Sequence, residues 1–273
     1  MPKKKKVVSK AVKAAAHDEP MKICFERILP DNLDPNHAGR RAMRSALTAS
    51  SGVGLDASTV LRVSRIAVVD LKRWDNGSVI KCRFLDGSSK MRKKVEAVAH
   101  EWEKFANLKL KFVESGPAAI RISFFADAGS WSAVGKDALV QEYFPLHQPT
   151  MNYGWLRDDT ADGEYTRVVL HEFGHALGAI HEHQAPKFTR VWDKAAVIQS
   201  FSGPPNNWSP EDIKFNVLEK YSPTGILSTN FDPDSIMLYS FDGRLFADEL
   251  GPTNNNTKLS DKDMAFMKSM YPK

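Results

Sequence analysis

Hydrophobic and polar positions change period several times along the chain, and each change marks a predicted element. Met91, Val95, Val98, Trp102 and Phe105 recur every three or four positions, so they form one buried stripe on a helix. Ser88 or Ser89 can cap that helix. On either side the period drops to two. Residues 79–85 follow an Asn76-Gly77 turn as a strand, Leu108, Leu110 and Phe112 alternate with polar neighbours, and AAIRISFF reads as a third strand. Strand, helix, strand, strand opens an α/β (α+β) arrangement with a helix packed on a sheet.

A polar, glycine- and aromatic-rich stretch follows and ends in a predicted strand at residues 150–156. Asp158, Asp159 and Asp162 then precede a helix through TRVVLHEFGHALGA, where acidic residues suit the positive end of the helix dipole. Further helices are expected from Asp193, from Ser209-Pro210, and from Ser260, with Asp263 placed to complete a capping box. Three regions emerge: a disordered basic lead at residues 1–20, an N-terminal extension at 21–65, and the main body at 66–273. The extension carries ICFERILP, a turn at DNLDPN and a helical run through AGRRAMRSALTA.

The net charge of +5 changes this picture little. Lys3, Lys4, Lys5, Lys6, Lys10 and Lys13 account for it, and without them 32 basic residues face 33 acidic ones. The body therefore lacks the basic footprint of a nucleic-acid-reading domain. The motif PKKKKV reads as a nuclear-import or anion-binding patch, or as a solvated tail. The opening lacks the apolar core of a secretory signal, and no apolar run approaches the roughly 20 residues that span a bilayer. A cytoplasmic, nuclear or non-classically exported monomer is the expectation. The two cysteines, Cys24 and Cys82, make no disulfide framework.

The chemistry lies in HEFGHALGAIHEH, residues 171–183. His171 and His175, four apart on a helix, point imidazoles at one ion, while Glu172 is turned about 100° away, beside it. Gly178 can adopt the left-handed conformation that ends a helix, so the returning chain delivers His181 as a third ligand. Three neutral imidazoles leave the fourth position of Zn2+ open for water, whose pKa zinc lowers to roughly 7, and Glu172 is the natural general base. The bland alternative is an amphipathic helix with core histidines. His17, His37, His100, His147 and His183 show no ligand spacing and are expected at the surface or behind the ligands.

With SIMLY at residues 235–239 downstream, this pattern resembles the metzincin zinc endopeptidases, in which a methionine turn follows H-E-x-x-H-x-x-G-x-x-H. HEH at 181–183 and SIM-x-Y look like the astacin branch, and HEFGHALG is equally similar to the matrixins. The resemblance implies a zincin fold: a twisted, mostly parallel sheet with a backing helix and an active-site helix, then a smaller irregular C-terminal half ending in a helix. It also implies one catalytic zinc held by His171, His175 and His181, a floor at Met237, and Tyr239 as a zinc-binding or oxyanion-stabilising residue. Protein or peptide substrates would lie along an edge strand, with WSAVGKDAL and PTMNYGWL as the expected rim.

Two readings stay open for Cys24: a thiol that keeps the enzyme latent from across the cleft, or a small buried residue in the extension. Cys82 is expected in the core. The competing function is a zinc-binding pseudoenzyme or peptide-binding module of the same fold, and the presence of Glu172 favours the enzyme. An anionic-surface binder acting through the lysine lead would explain only the first residues.

Overall fold

A computed structural model describes residues 22–27, 72–203, 206–220, 231–248 and 250–273. The predicted basic lead, the DNLDPN turn and the 38–49 helix lie outside the described residues.

Among the described residues the sheet has six strands: β1 (Cys24–Arg27), β2 (Val79–Phe84), β3 (Lys109–Phe112), β4 (Ile120–Ser123), β5 (Ser130–Ala133) and β6 (Met151–Tyr153). Their spatial order is β1-β5-β6-β4-β2-β3, and every pairing is parallel except β5 with β6. The alternation seen in sequence appears as Ile80 and Cys82 turned inward while Val79 stands exposed. The β6 strand is shorter than the predicted 150–156 and lies between β4 and β5. Within PTMNYGWL the strand residues thus lie inside the sheet, whereas β5, in WSAVG, meets only β6 within the body and pairs on its other side with β1 of the leading segment. Residues 22–27 add to β5 as a further strand, so part of the extension is built into the sheet of the body.

Helix α1 (Ser89–Ala99) is capped by the Ser88 side chain, which accepts from the Met91 N–H. The predicted stripe survives in Met91, Val95 and Trp102, all buried. Its last part departs from the expectation, because the chain tightens to a 3-10 turn at His100–Lys104 and leaves Phe105 only partly covered. The Trp102 indole donates to Leu170 O, 3.1 Å away, and so ties this turn to helix α2 (Asp162–Ala176). Residues Val168 to Ala176 of α2 are buried on every side, which makes it the central core helix.

The C-terminal half carries α3 (Lys194–Ser202), capped by Asp193, and the short α4 (Pro210–Ile213), capped by Ser209. It ends in α5 (Asp261–Met270), where Ser260 and Asp263 form the predicted capping box. Behind α5, the Tyr271 hydroxyl donates to Leu177 O at 2.7 Å and the Trp74 indole donates to Ala176 O at 2.8 Å. These bonds fix the end of α2, where the chain turns back. No helix among the described residues is long and apolar enough to cross a membrane.

Candidate metal centre

Helix α2 places His171 and His175 on one face, and Gly178, with φ +99°, ends it as the spacing requires. The return brings His181 in. Its Nε2 lies 3.0 Å from Nε2 of His175, which is 3.1 Å from Nε2 of His171. All three rings are buried. Tetrahedral zinc with bonds of about 2.05 Å separates its nitrogen ligands by about 3.3 Å, so this cluster fits such an ion.

The opposite nitrogens are all engaged. Nδ1 of His171 donates to Ile236 O at 2.8 Å, Nδ1 of His175 to Ala179 O at 2.9 Å, and Nδ1 of His181 to Gln184 Oε1 at 3.3 Å. Protonation at Nδ1 leaves each Nε2 lone pair facing its neighbours, as metal ligation demands. Burial, with the neighbouring His175 as the next cause, pushes His171 and His181 well below the ordinary imidazole pKa. His171 and His181 are therefore neutral. Sequence spacing found the three histidines, whereas Ile236, Ala179 and Gln184 had no signal of their own.

Met237 meets helix α2 between His171 and His175. It packs against Gly174, where a Cβ would come within 3.0 Å of the Met237 Sδ. Glycine inside a helix costs about 1 kcal/mol, and here the close approach of the methionine turn explains its presence. The turn is held on both sides. Glu182 N–H donates to Met237 O at 3.0 Å, and the Asp263 carboxylate accepts from Ile236 N–H at 2.8 Å and from the Ser235 hydroxyl at 2.7 Å. The residue that caps α5 thus also anchors the turn that orients His171.

Glu172 is fully buried beside the histidines. The Cys24 thiol lies against it; burial first, and the Glu172 charge second, push the thiol pKa well above its ordinary value. The Tyr239 ring stands 4.3 Å from that of His181, and its hydroxyl meets both Nε2 of His181 and the Cys24 carbonyl. The leading segment therefore reaches the cluster at Cys24, through Glu172 and Tyr239. Of the remaining histidines, His147 is exposed and His100 is half-exposed beside Glu103. His183 is buried behind His181, with Nε2 donating to Asn216 O at 3.0 Å and its pKa lowered by burial to about 3. His17 and His37 lie outside the described residues. Cys82 is in the core, as expected.

The model of the Astacin peptidase family matches residues 68–272. The chain belongs to the astacin family. That membership decides between the two branches that HEFGHALG left open. Among solved structures, myroilysin shares 42% identity over 75% of this chain and 98% of its own, with a TM-score of 0.70. A hatching-enzyme zinc protease from Oryzias latipes shares the fold at 18% identity and a TM-score of 0.51, over 74% of this chain and 95% of its own. Zinc metalloproteinase nas-30 of Caenorhabditis elegans is 31% identical over 114 residues, 42% of this chain. The chain spans 13% of the length of that relative.

Proposed function

We propose that this astacin-family chain is a zinc-dependent endopeptidase that hydrolyses peptide bonds in proteins, with zinc held by His171, His175 and His181. The single observation that carries the reading is the convergence of three buried Nε2 atoms, each with its Nδ1 tied down, beside a buried glutamate. Bound there, zinc supplies Lewis-acid polarisation of the scissile carbonyl and acidifies a water molecule. Glu172 takes the proton from the attacking water and later passes it to the leaving amine. The Tyr239 hydroxyl, beside His181, donates to the oxyanion that develops. The β5 strand offers backbone groups to an extended peptide, as it does to β1 here.

Because β1 lies on that edge and Cys24 packs against Glu172, the leading segment keeps the enzyme latent by filling the cleft. The test is cleavage of a peptide library by the zinc-loaded chain, before and after the segment is cut away, beside Glu172→Gln and a chelated sample. Cleavage that begins on removal and is lost in both controls is the expected result. Cuts that persist in Glu172→Gln, or silence after removal with zinc bound, would sink the reading in favour of a binding module.

A further inference from the structure

Three residues beyond Cys24, the Arg27 guanidinium stands inside an aromatic box. Its central carbon lies 4.5 Å from the Trp131 ring centroid, 5.5 Å from that of Tyr143 and 5.9 Å from that of Phe144. The box is built independently of Arg27. Tyr143 meets Phe144 edge to face at 4.8 Å, Phe144 stacks towards Trp131 at 6.4 Å, and both Trp131 and Phe144 are buried. These rings form a small cluster of their own, apart from the main core. Three rings with centroids within 6 Å of one guanidinium carbon attract the cation through the negative potential of their π faces.

The position of the box along the cleft gives it meaning. Cys24 pairs with Ser130 and Arg27 with Ala133 on β5, so the box lies about 10 Å along the edge from the residue packed on Glu172. Trp131 belongs to β5 itself, and side chains two apart on a strand share a face. Phe25, two residues before Arg27, packs against the same indole with ring centroids 6.4 Å apart. An extended peptide that takes the place of β1 in the same register brings its side chain opposite Ala133 to the place that Arg27 holds.

We propose that the box of Trp131, Tyr143 and Phe144 is a substrate subsite that selects an arginine or lysine side chain, and that Arg27 occupies it in place of substrate. The inference rests on the endopeptidase reading for its context, but binding alone can test it. The protein for the test is the full chain with a specific-protease site among residues 28–71, cut so that the leading segment can leave, and loaded with zinc. Two fluorescent peptides of the sequence KICFERIL are compared, one with arginine and one with norleucine at its sixth position. Their affinity is measured on the Glu172→Gln form, and cleavage of the peptide library is measured on the parent.

The arginine peptide is expected to bind about three- to thirtyfold more tightly, the range of a partly buried cation–π site. Trp131→Leu or Tyr143→Leu should bring that ratio close to one, and Tyr143→Phe, which keeps a ring, should preserve it. Equal affinity for the two peptides, or no affinity for either, overturns the subsite. The two readings fail separately: library cleavage with equal affinity for the two peptides removes the subsite and leaves the protease, whereas unequal affinity without library cleavage removes the protease and leaves a cation-selecting peptide site.

Discussion

Gly174→Ala is the substitution that tests most directly how the histidine helix and the methionine turn are joined. A single methyl group at this position would come within 3.0 Å of Met237 Sδ, 3.2 Å from its Cε and 3.4 Å from Trp102. Met237 is 4% exposed, so its side chain has little space into which it could swing. Its carbonyl accepts from Glu182 N–H, its N–H donates to the Ser235 hydroxyl, and Asp263 holds the preceding Ile236 N–H. Overpacking of this kind costs about 1–3 kcal/mol, and replacing a helical glycine with alanine returns about 1 kcal/mol. Rigid neighbours favour the upper end, leaving a net loss of about 1–2 kcal/mol, on the order of 2–8 °C in Tm.

The same push moves Ile236, whose carbonyl orients His171, and disturbing such a partner typically weakens metal binding about 10- to 100-fold. Denaturant unfolding of the zinc-free protein and competition with a chelating dye would measure the two effects separately. A double-mutant cycle with Met237→Ala isolates the clash. In that background Gly174→Ala should become neutral or stabilising by about 1 kcal/mol, giving a coupling of about 2 kcal/mol. Gly174→Ala that is as stable as the parent, with unchanged zinc affinity and no coupling to Met237, would refute the reasoning.

Asp263→Ala removes both a helix cap and the anchor of the methionine turn, so it should lose about 2–4 kcal/mol by denaturant unfolding and weaken zinc in the dye assay. An effect no larger than that of an ordinary cap, with zinc affinity intact, would show that the turn holds itself. Arg190 donates twice to Asp248, at 2.6 and 2.8 Å, and holds its pKa down at about 2. A depressed acid stabilises the fold above its unfolded value of about 4 and loses that contribution as pH falls towards 2. Asp248→Asn should therefore be less stable than the parent at pH 7, with the gap closing between pH 4 and pH 2 in thermal melts. A gap independent of pH would dismiss the pair as its source.

Much of the site was legible because its chemistry is written at helical spacing. A four-residue interval fixes His171 and His175 on one face wherever the helix sits, and Gly178 after them is the residue that permits the turn back. Caps were legible for the same reason: Ser88, Asp193, Ser209 and Ser260 each bond a backbone N–H within three residues. The errors came where an element was judged outside its surroundings. The stripe ends short of Phe105 because the chain tightens at His100, and the strand of PTMNYGWL lies inside the sheet because β6 pairs with two strands of the body, β4 and β5.

By itself, then, the sequence determined the metal-binding pattern, the general base, the helix ends and the alternation of the strands, since each depends on neighbours a few residues away. Tertiary structure alone decided what those groups face. It brought Met237 against Gly174 across more than sixty positions and set Asp263 under the turn. It laid Cys24 across Glu172 and closed three rings around Arg27. Contacts between distant segments follow from the strand order and from burial shared across the whole core, and no local spacing encodes either.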